Sequence, residues 1–207
     1  MQCRRLEHAV TGTGKQQKGA GSEGGRAMRA DARRNEDSVL EAAKEVFMSS
    51  GVDAPVREIA ERAGVGIGTF YRRFPKRSDL VAAVFRREVD DCAGAAAQLA
   101  AQHPPADAVA LWLLRYAQFM GTKKGLAAAL HSGDPAFDAL PDYVRSRFEP
   151  ALATLLSAAA EAGKMRGDIK PYDLLRAIGN LSAASGPDGL EHVQRMVRLI
   201  VGGLRAA

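Results

Sequence analysis

Apolar residues recur at intervals of three and four through almost the whole chain, and no segment alternates apolar with polar residues for the length of a strand. The pattern predicts an all-α protein. A first helix is expected over about 32–50, with Val39, Leu40, Ala43, Val46 and Phe47 as its stripe and Gly51 as its stop. Its acidic face of Glu36, Asp37, Glu41 and Glu45 reads as solvated surface. A short helix follows, opening with Pro55 at its first position and carrying Val56, Ile59, Ala60 and Ala63 on one face. Gly64 then stands where a left-handed residue ends a helix, a conformation least costly without a Cβ. The next short segment keeps Val65 and Phe70 for burial and leaves Gly66, Ile67, Gly68, Thr69 and Tyr71 facing outward.

Longer elements occupy the rest. Ser78 is placed to cap a helix over 79–101 whose buried face is Leu80, Val81, Val84, Phe85, Val89 and Cys92. After the Pro104-Pro105 break, Val109, Trp112, Leu113, Tyr116, Phe119 and Met120 mark another helix. A short piece over 125–130 precedes a helical stretch over 138–162, with a kink or break expected at Pro150 and a stop at Gly163. The last two helices, over 171–184 and 187–206, have apolar faces too broad for one-sided packing. They are predicted to form a four-helix interface with a second copy through Leu174, Leu175, Ile178, Leu181, Met196 and Ile200, with Gly179, Ala183 and Ala184 permitting close approach.

Two short helices around a glycine turn are the spacing of a helix-turn-helix, whose second helix enters the DNA major groove. Charge sharpens that reading. Six cations (Arg57, Arg62, Arg72, Arg73, Lys76, Arg77) stand against Glu58 and Glu61 between Pro55 and Arg77, whereas 78–207 is balanced, 14 cations to 14 anions. A cationic patch on a two-helix unit is the footprint of phosphate binding.

The segment resembles the DNA-binding signature of the TetR (tetracycline repressor) family of bacterial transcriptional regulators. The residues that carry the resemblance are Ile59-Ala60-Glu61-Arg62-Ala63-Gly64-Val65, Thr69-Phe70-Tyr71, Phe74-Pro75-Lys76-Arg77 and Leu80, within a match from near Asn35 to near Leu80. The resemblance implies a three-helix DNA-binding domain over 32–78 and a helical regulatory, ligand-binding and dimerisation domain over 79–207. It puts Gly66, Ile67 and Gly68 at base edges, Thr69 and Tyr71 on phosphates, and Arg77 at the family's Lys, beside the fourth helix's N-terminal amides. Arg57 matches a position that reaches a base and is the expected polar reader, since Ile67 can sense little beyond a thymine methyl. Arg73 and Lys76 are added as backbone contacts. Pro55 replaces a Thr that the family often uses to cap the helix or bind phosphate. With three or four phosphate contacts per half-site of a dimer, log K should fall with log salt at a slope of roughly −5 to −7.

The same resemblance implies that a small molecule binds among the body helices and releases a palindromic DNA operator. Apolar and aromatic residues exceed what the stripes need, and Trp112, Tyr116, Phe119, Met120, Phe137, Tyr143 and Phe148 are the candidate lining, with His131 nearby. The expected partners are therefore a double-stranded DNA operator, a second copy of the chain and a small-molecule effector. A ligand-independent or activating DNA-binding protein is the alternative. No metal, cofactor or catalytic group is expected: no Gly-rich phosphate loop, paired metal ligands or nucleophile elbow occurs, and Cys3 and Cys92 make neither a zinc pattern nor a disulfide framework. No apolar run reaches the ~18 residues of a membrane span, so a cytoplasmic protein, associated with the nucleoid when on DNA, is expected. Residues 1–34 hold eight cations and three anions, and 1–31 read as a disordered basic leader or as upstream residues ahead of a start at Met28. The sharper reading of the leader is a basic arm along DNA.

Overall fold

The structure is a computed structural model describing residues 20–122, 132–183 and 189–205. The helical piece expected over 125–130, His131 and most of the leader lie outside them. Among the described residues there are eight α-helices and one 3-10 turn: α1 (Ala20–Ser50), α2 (Val56–Ala63), α3 (Ile67–Arg73), α4 (Arg77–Gln102), α5 (Pro105–Thr122), η1 (Pro135–Phe137), α6 (Leu140–Glu161), α7 (Pro171–Ala183) and α8 (Gly189–Gly203).

α1 reaches back to Ala20 instead of beginning near Ala32, so the stretch read as disordered leader is helical from that point. The extension carries no apolar periodicity, and three of its residues, Gly21, Gly24 and Gly25, are poor helix formers, so local sequence does not mark this helix start. Three other boundaries move for local reasons. Pro55 is the cap of α2 (φ −60°, ψ 131°) rather than its first helical residue. At the start of α4 the capping carboxylate is Asp79, which accepts the Lys76 backbone N–H at 3.1 Å, in place of the expected Ser78. Pro150 does not break α6, which runs from Leu140 to Glu161.

Two apolar cores share α4. Val39, Ala43, Val46, Ile59, Phe70, Phe74, Leu80 and Val84 form the core of the head. Val81, Phe85, Val89 and Cys92, on the neighbouring face of α4, pack with α5–α8 in the body. Leu80 and Val84 tie the first turns of α4 to the head, although the sequence expectation ended that domain at 78. The acidic face of α1 is not idle surface. Asp37 and Glu41 pair with Arg87 at 3.2 and 3.5 Å, Glu45 with Arg62 at 3.6 Å, Glu36 with Arg73 at 2.5 Å, and Lys44 with Glu88 at 2.7 Å. These ion pairs fasten α1 to α2, α3 and α4. Each is partly exposed and worth little alone; their number fixes the relative placement of the helices.

Candidate nucleic-acid interface

The turn between α2 and α3 is built by Gly64, at φ 68° and ψ 25°. Its N–H reaches the Glu61 carbonyl at 3.1 Å, and the Val65 N–H reaches the Ala60 carbonyl at 3.0 Å, closing the last turn of α2. A Cβ there would meet nothing within 4 Å, so backbone conformation rather than crowding selects glycine. Phe70 and Phe74 are buried with ring centroids 5.8 Å apart, and they anchor a seven-residue helix too short to stand alone.

That anchoring leaves the opposite face of α3 uncovered. Gly66, Ile67, Gly68, Thr69 and Tyr71 are all exposed, Ile67 at 47 % and Tyr71 at 51 %. The Tyr71 ring meets Phe70 edge-on at 5.7 Å, which holds its hydroxyl away from the core. The outward set read from the sequence is therefore brought together on one helix.

The cations divide into two groups. Arg57 on α2 is free to reach out: its side chain is 86 % exposed, and its one carboxylate neighbour, Glu61, is 3.9 Å away. Lys76 is exposed, and Arg72 is exposed while donating to Thr69 Oγ1 at 3.2 Å. Arg62, Arg73 and Arg77 are committed to their own chain. Arg73 is held by Glu36, whose hydrogen bond raises its pKa further above the ordinary guanidinium value. Arg77, expected on a phosphate, is half-buried and donates to the carbonyls of Val52 and Ala54, clasping the α1–α2 loop against α4. In this position the guanidinium satisfies loop carbonyls that no helix or strand pairs.

The body meets the head at η1. The Asp134 carboxylate accepts the Ala136 N–H at 2.9 Å and bonds the Ser78 hydroxyl, with Lys76 nearby, and these contacts hold it below the usual carboxylate range. Among the described residues no group of His, Cys, Asp and Glu could hold a metal, and no helix is long and apolar enough to cross a membrane.

Residues 39–84 match the description "Bacterial regulatory proteins, tetR family", and residues 104–206 match "Transcriptional regulator SbtR-like, C-terminal domain". A TetR transcriptional regulator of Streptomyces coelicolor is 36 % identical, with a TM-score of 0.69 over 83 % of this chain and 98 % of its own. The chain belongs to the TetR family of transcriptional regulators. A TetR regulatory protein of Mycobacterium vanbaalenii is similar at 34 % identity, a TM-score of 0.67 and coverage of 86 % and 99 %. A Staphylococcus aureus HTH-type transcriptional regulator is 39 % identical over 64 residues, 30 % of this chain and 35 % of that protein, so this likeness spans about a third of the curated relative. Members of the TetR family regulate transcription and are not enzymes.

In the body of this TetR protein, four of the residues expected to line a ligand site meet in one cluster. Trp112 and Tyr116 stack at 5.8 Å, and Phe148 lies edge-on to Trp112, Tyr116 and Phe119 at 5.9, 5.2 and 5.3 Å. Their polar atoms are occupied: Trp112 Nε1 donates to the Cys92 carbonyl at 2.9 Å, and the Tyr116 hydroxyl donates to the Leu175 carbonyl at 3.2 Å. Burial pushes the Tyr116 phenol well above its ordinary pKa. A Cβ on Gly179 of α7 would come within 3.3 Å of that hydroxyl and 3.7 Å of Met120 Cε. Glycine there lets α7 approach α5 within the chain. Phe137 is buried in η1, while Tyr143 stands apart, its hydroxyl on Asp90 at 2.7 Å.

The predicted dimer residues separate as well. Leu174, Leu175 and Ile178 are buried in their own chain. Leu181, Met196 and Ile200 are half-buried, and Leu199, absent from the expected set, is 68 % exposed.

Proposed function

We propose that this TetR-family protein is a ligand-responsive repressor that binds a palindromic operator as a homodimer, acts in the cytoplasm on the nucleoid, and is released by an apolar small molecule. The observation that carries the reading is the uncovered face of α3, with its two glycines, Ile67, Thr69 and Tyr71, next to a helix bearing the exposed Arg57. Gly66 and Gly68 let the backbone approach the groove, Thr69 and Tyr71 offer hydroxyls to phosphates, and Arg57 suits guanine O6 and N7. Lys76 adds a phosphate contact, while Arg73 contributes only when Glu36 lets it go.

Dimerisation is assigned to the outer faces of α7 and α8, where Leu181, Met196, Leu199 and Ile200 offer apolar surface. The effector is assigned to the Trp112–Tyr116–Phe119–Phe148 cluster and its neighbours Met120, Phe137 and Tyr143. Its rings are already packed, so entry requires them to part, and a ligand that binds the parted state shifts the protein away from the operator-bound one. A solved structure 28 % identical to this chain, with a TM-score of 0.65 over 82 % of this chain and 97 % of its own, concerns control of antibiotic production by a bacterial hormone, which supports small-molecule control.

The test is selection of bound duplexes from a random pool, followed by footprinting and a reporter driven by the winning site. A palindrome about one helical turn between half-site centres, with reporter activity restored by a small molecule, is expected. Uniform coating of DNA, or activation that no compound alters, would establish the alternative instead.

A further inference from the structure

A cleft lies where the head meets the body. Its walls are Arg73 and Phe74 at the end of α3, Asp79, Ala82 and Arg86 on α4, and Ala136 of η1, and it holds about 240 Å³. At ~30 Å³ per water that is room for on the order of eight waters, and it falls below the ~300–1,000 Å³ of drug-sized sites. The size suits a small organic acid or a phosphate.

Arg86 is the unusual wall. It is half-buried, yet among the described residues no carboxylate lies within 4.0 Å of its guanidinium. Asp90, one turn along the same helix, is positioned to pair with it but is engaged from α6, by the Tyr143 hydroxyl at 2.7 Å and Arg147 Nε at 2.6 Å. Arg86 rests instead 6.0 Å from the Tyr143 ring centroid. Arg73, also on the cleft, has Glu36 as its acid. Asp79 accepts the Lys76 backbone N–H, so of the two guanidinium groups on the cleft Arg86 is the one without a carboxylate within 4.0 Å among the described residues. A partly buried guanidinium without an acid is costly, and its forked donors match carboxylate and phosphate alike.

We propose that this cleft binds a small free oxyanion, a carboxylate or phosphate group, between Arg86 and Arg73. The consequence for regulation rests on the DNA-binding reading above. An anion shares Arg73 with Glu36, loosens the tie between α3 and α1, and so lowers operator affinity. The Asp134 carboxylate caps η1 by accepting the Ala136 N–H at 2.9 Å, which holds Ala136 in place as the body-side wall.

The test follows the arginine Nε–H signals of the full chain by NMR while sodium phosphate or sodium acetate replaces sodium chloride at constant ionic strength. Saturable shifts at Arg86 and Arg73 are expected. The apparent affinity should be about tenfold or more weaker in Arg86→Gln and intermediate in Arg86→Lys, which keeps the charge without the fork. Shifts that never saturate, or that persist unchanged in Arg86→Gln, overturn the site. If Arg86→Gln instead lowers the salt slope of duplex binding by about 0.9, the cleft takes a DNA phosphate and the free-anion assignment fails. Saturable shifts in a protein that binds no DNA leave the site standing and remove the DNA-binding reading. Operator binding without any shift removes the site alone.

Discussion

Replacing Arg77 by alanine separates two roles for one cation. As a phosphate contact, Arg77 would affect DNA affinity and its salt dependence; as the clasp seen in the structure, it affects the fold of the head. The guanidinium donates to the Val52 and Ala54 carbonyls from a half-buried position. A buried hydrogen bond to a charged group contributes about 1.5–3 kcal/mol. Partial exposure brings each of the two toward the lower end, and ordering the long side chain offsets up to ~2 kcal/mol. The net expectation is a loss of about 2 kcal/mol, or roughly 4–8 °C in melting temperature for a chain of this size. The assay pairs thermal melts with duplex titrations between about 50 and 200 mM salt. Arg77→Ala should melt earlier and keep the wild-type salt slope, with Arg77→Lys in between. An unchanged melting temperature together with a slope reduced by about 0.9 would refute the clasp and restore the phosphate contact.

Arg57→Ala should flatten preference at one base pair of the selected operator, by about 1–3 kcal/mol of discrimination in competition titrations; equal losses on specific and scrambled duplexes would sink that role. Glu36→Gln frees Arg73 and should steepen the salt slope by up to ~0.9, while the lost ion pair costs under ~1 kcal/mol in denaturant melts; an unaltered slope would show that Arg73 stays off the DNA. Gly64→Ala should destabilise the head by about 1–2 kcal/mol through left-handed backbone strain alone, since its Cβ meets nothing within 4 Å, and Gly64→Asn by less. With Arg62, Arg73 and Arg77 engaged internally, two or three phosphate contacts remain per half-site, so the wild-type slope should be about −4 to −5, shallower than the charge count alone suggests; a measured slope beyond about −6 would mean that those ion pairs open on DNA.

The parts of this fold that the sequence made legible are the local ones. The Gly64 turn, the Phe70 and Phe74 anchors and the outward set on α3 each depend on residues within two helical turns, so their spacing carries the geometry. Charge carries no such spacing. Arg73 meets Glu36 across 37 positions and Arg77 meets Val52 across 25, and neither separation is marked by anything in the intervening residues. An arginine near a recognition helix therefore reads as a DNA contact whether it faces DNA or holds the helix in place, and an acidic stripe on α1 reads as solvated whether or not it has partners. The same ambiguity governs the last two helices. Leu174, Leu175 and Ile178 form a good apolar stripe, which says that something covers them without saying whether the cover is their own chain or a second copy. The exposed Leu199, lying off that stripe, marks the uncovered side. The ion pairs of α1 also carry a structural cost: a cation drawn away from Glu36 or Glu45 weakens the frame that positions α3. Recruiting those cations would therefore loosen the head's own scaffold, whereas the freely exposed contacts (Arg57, Lys76 and the hydroxyls of Thr69 and Tyr71) avoid that conflict.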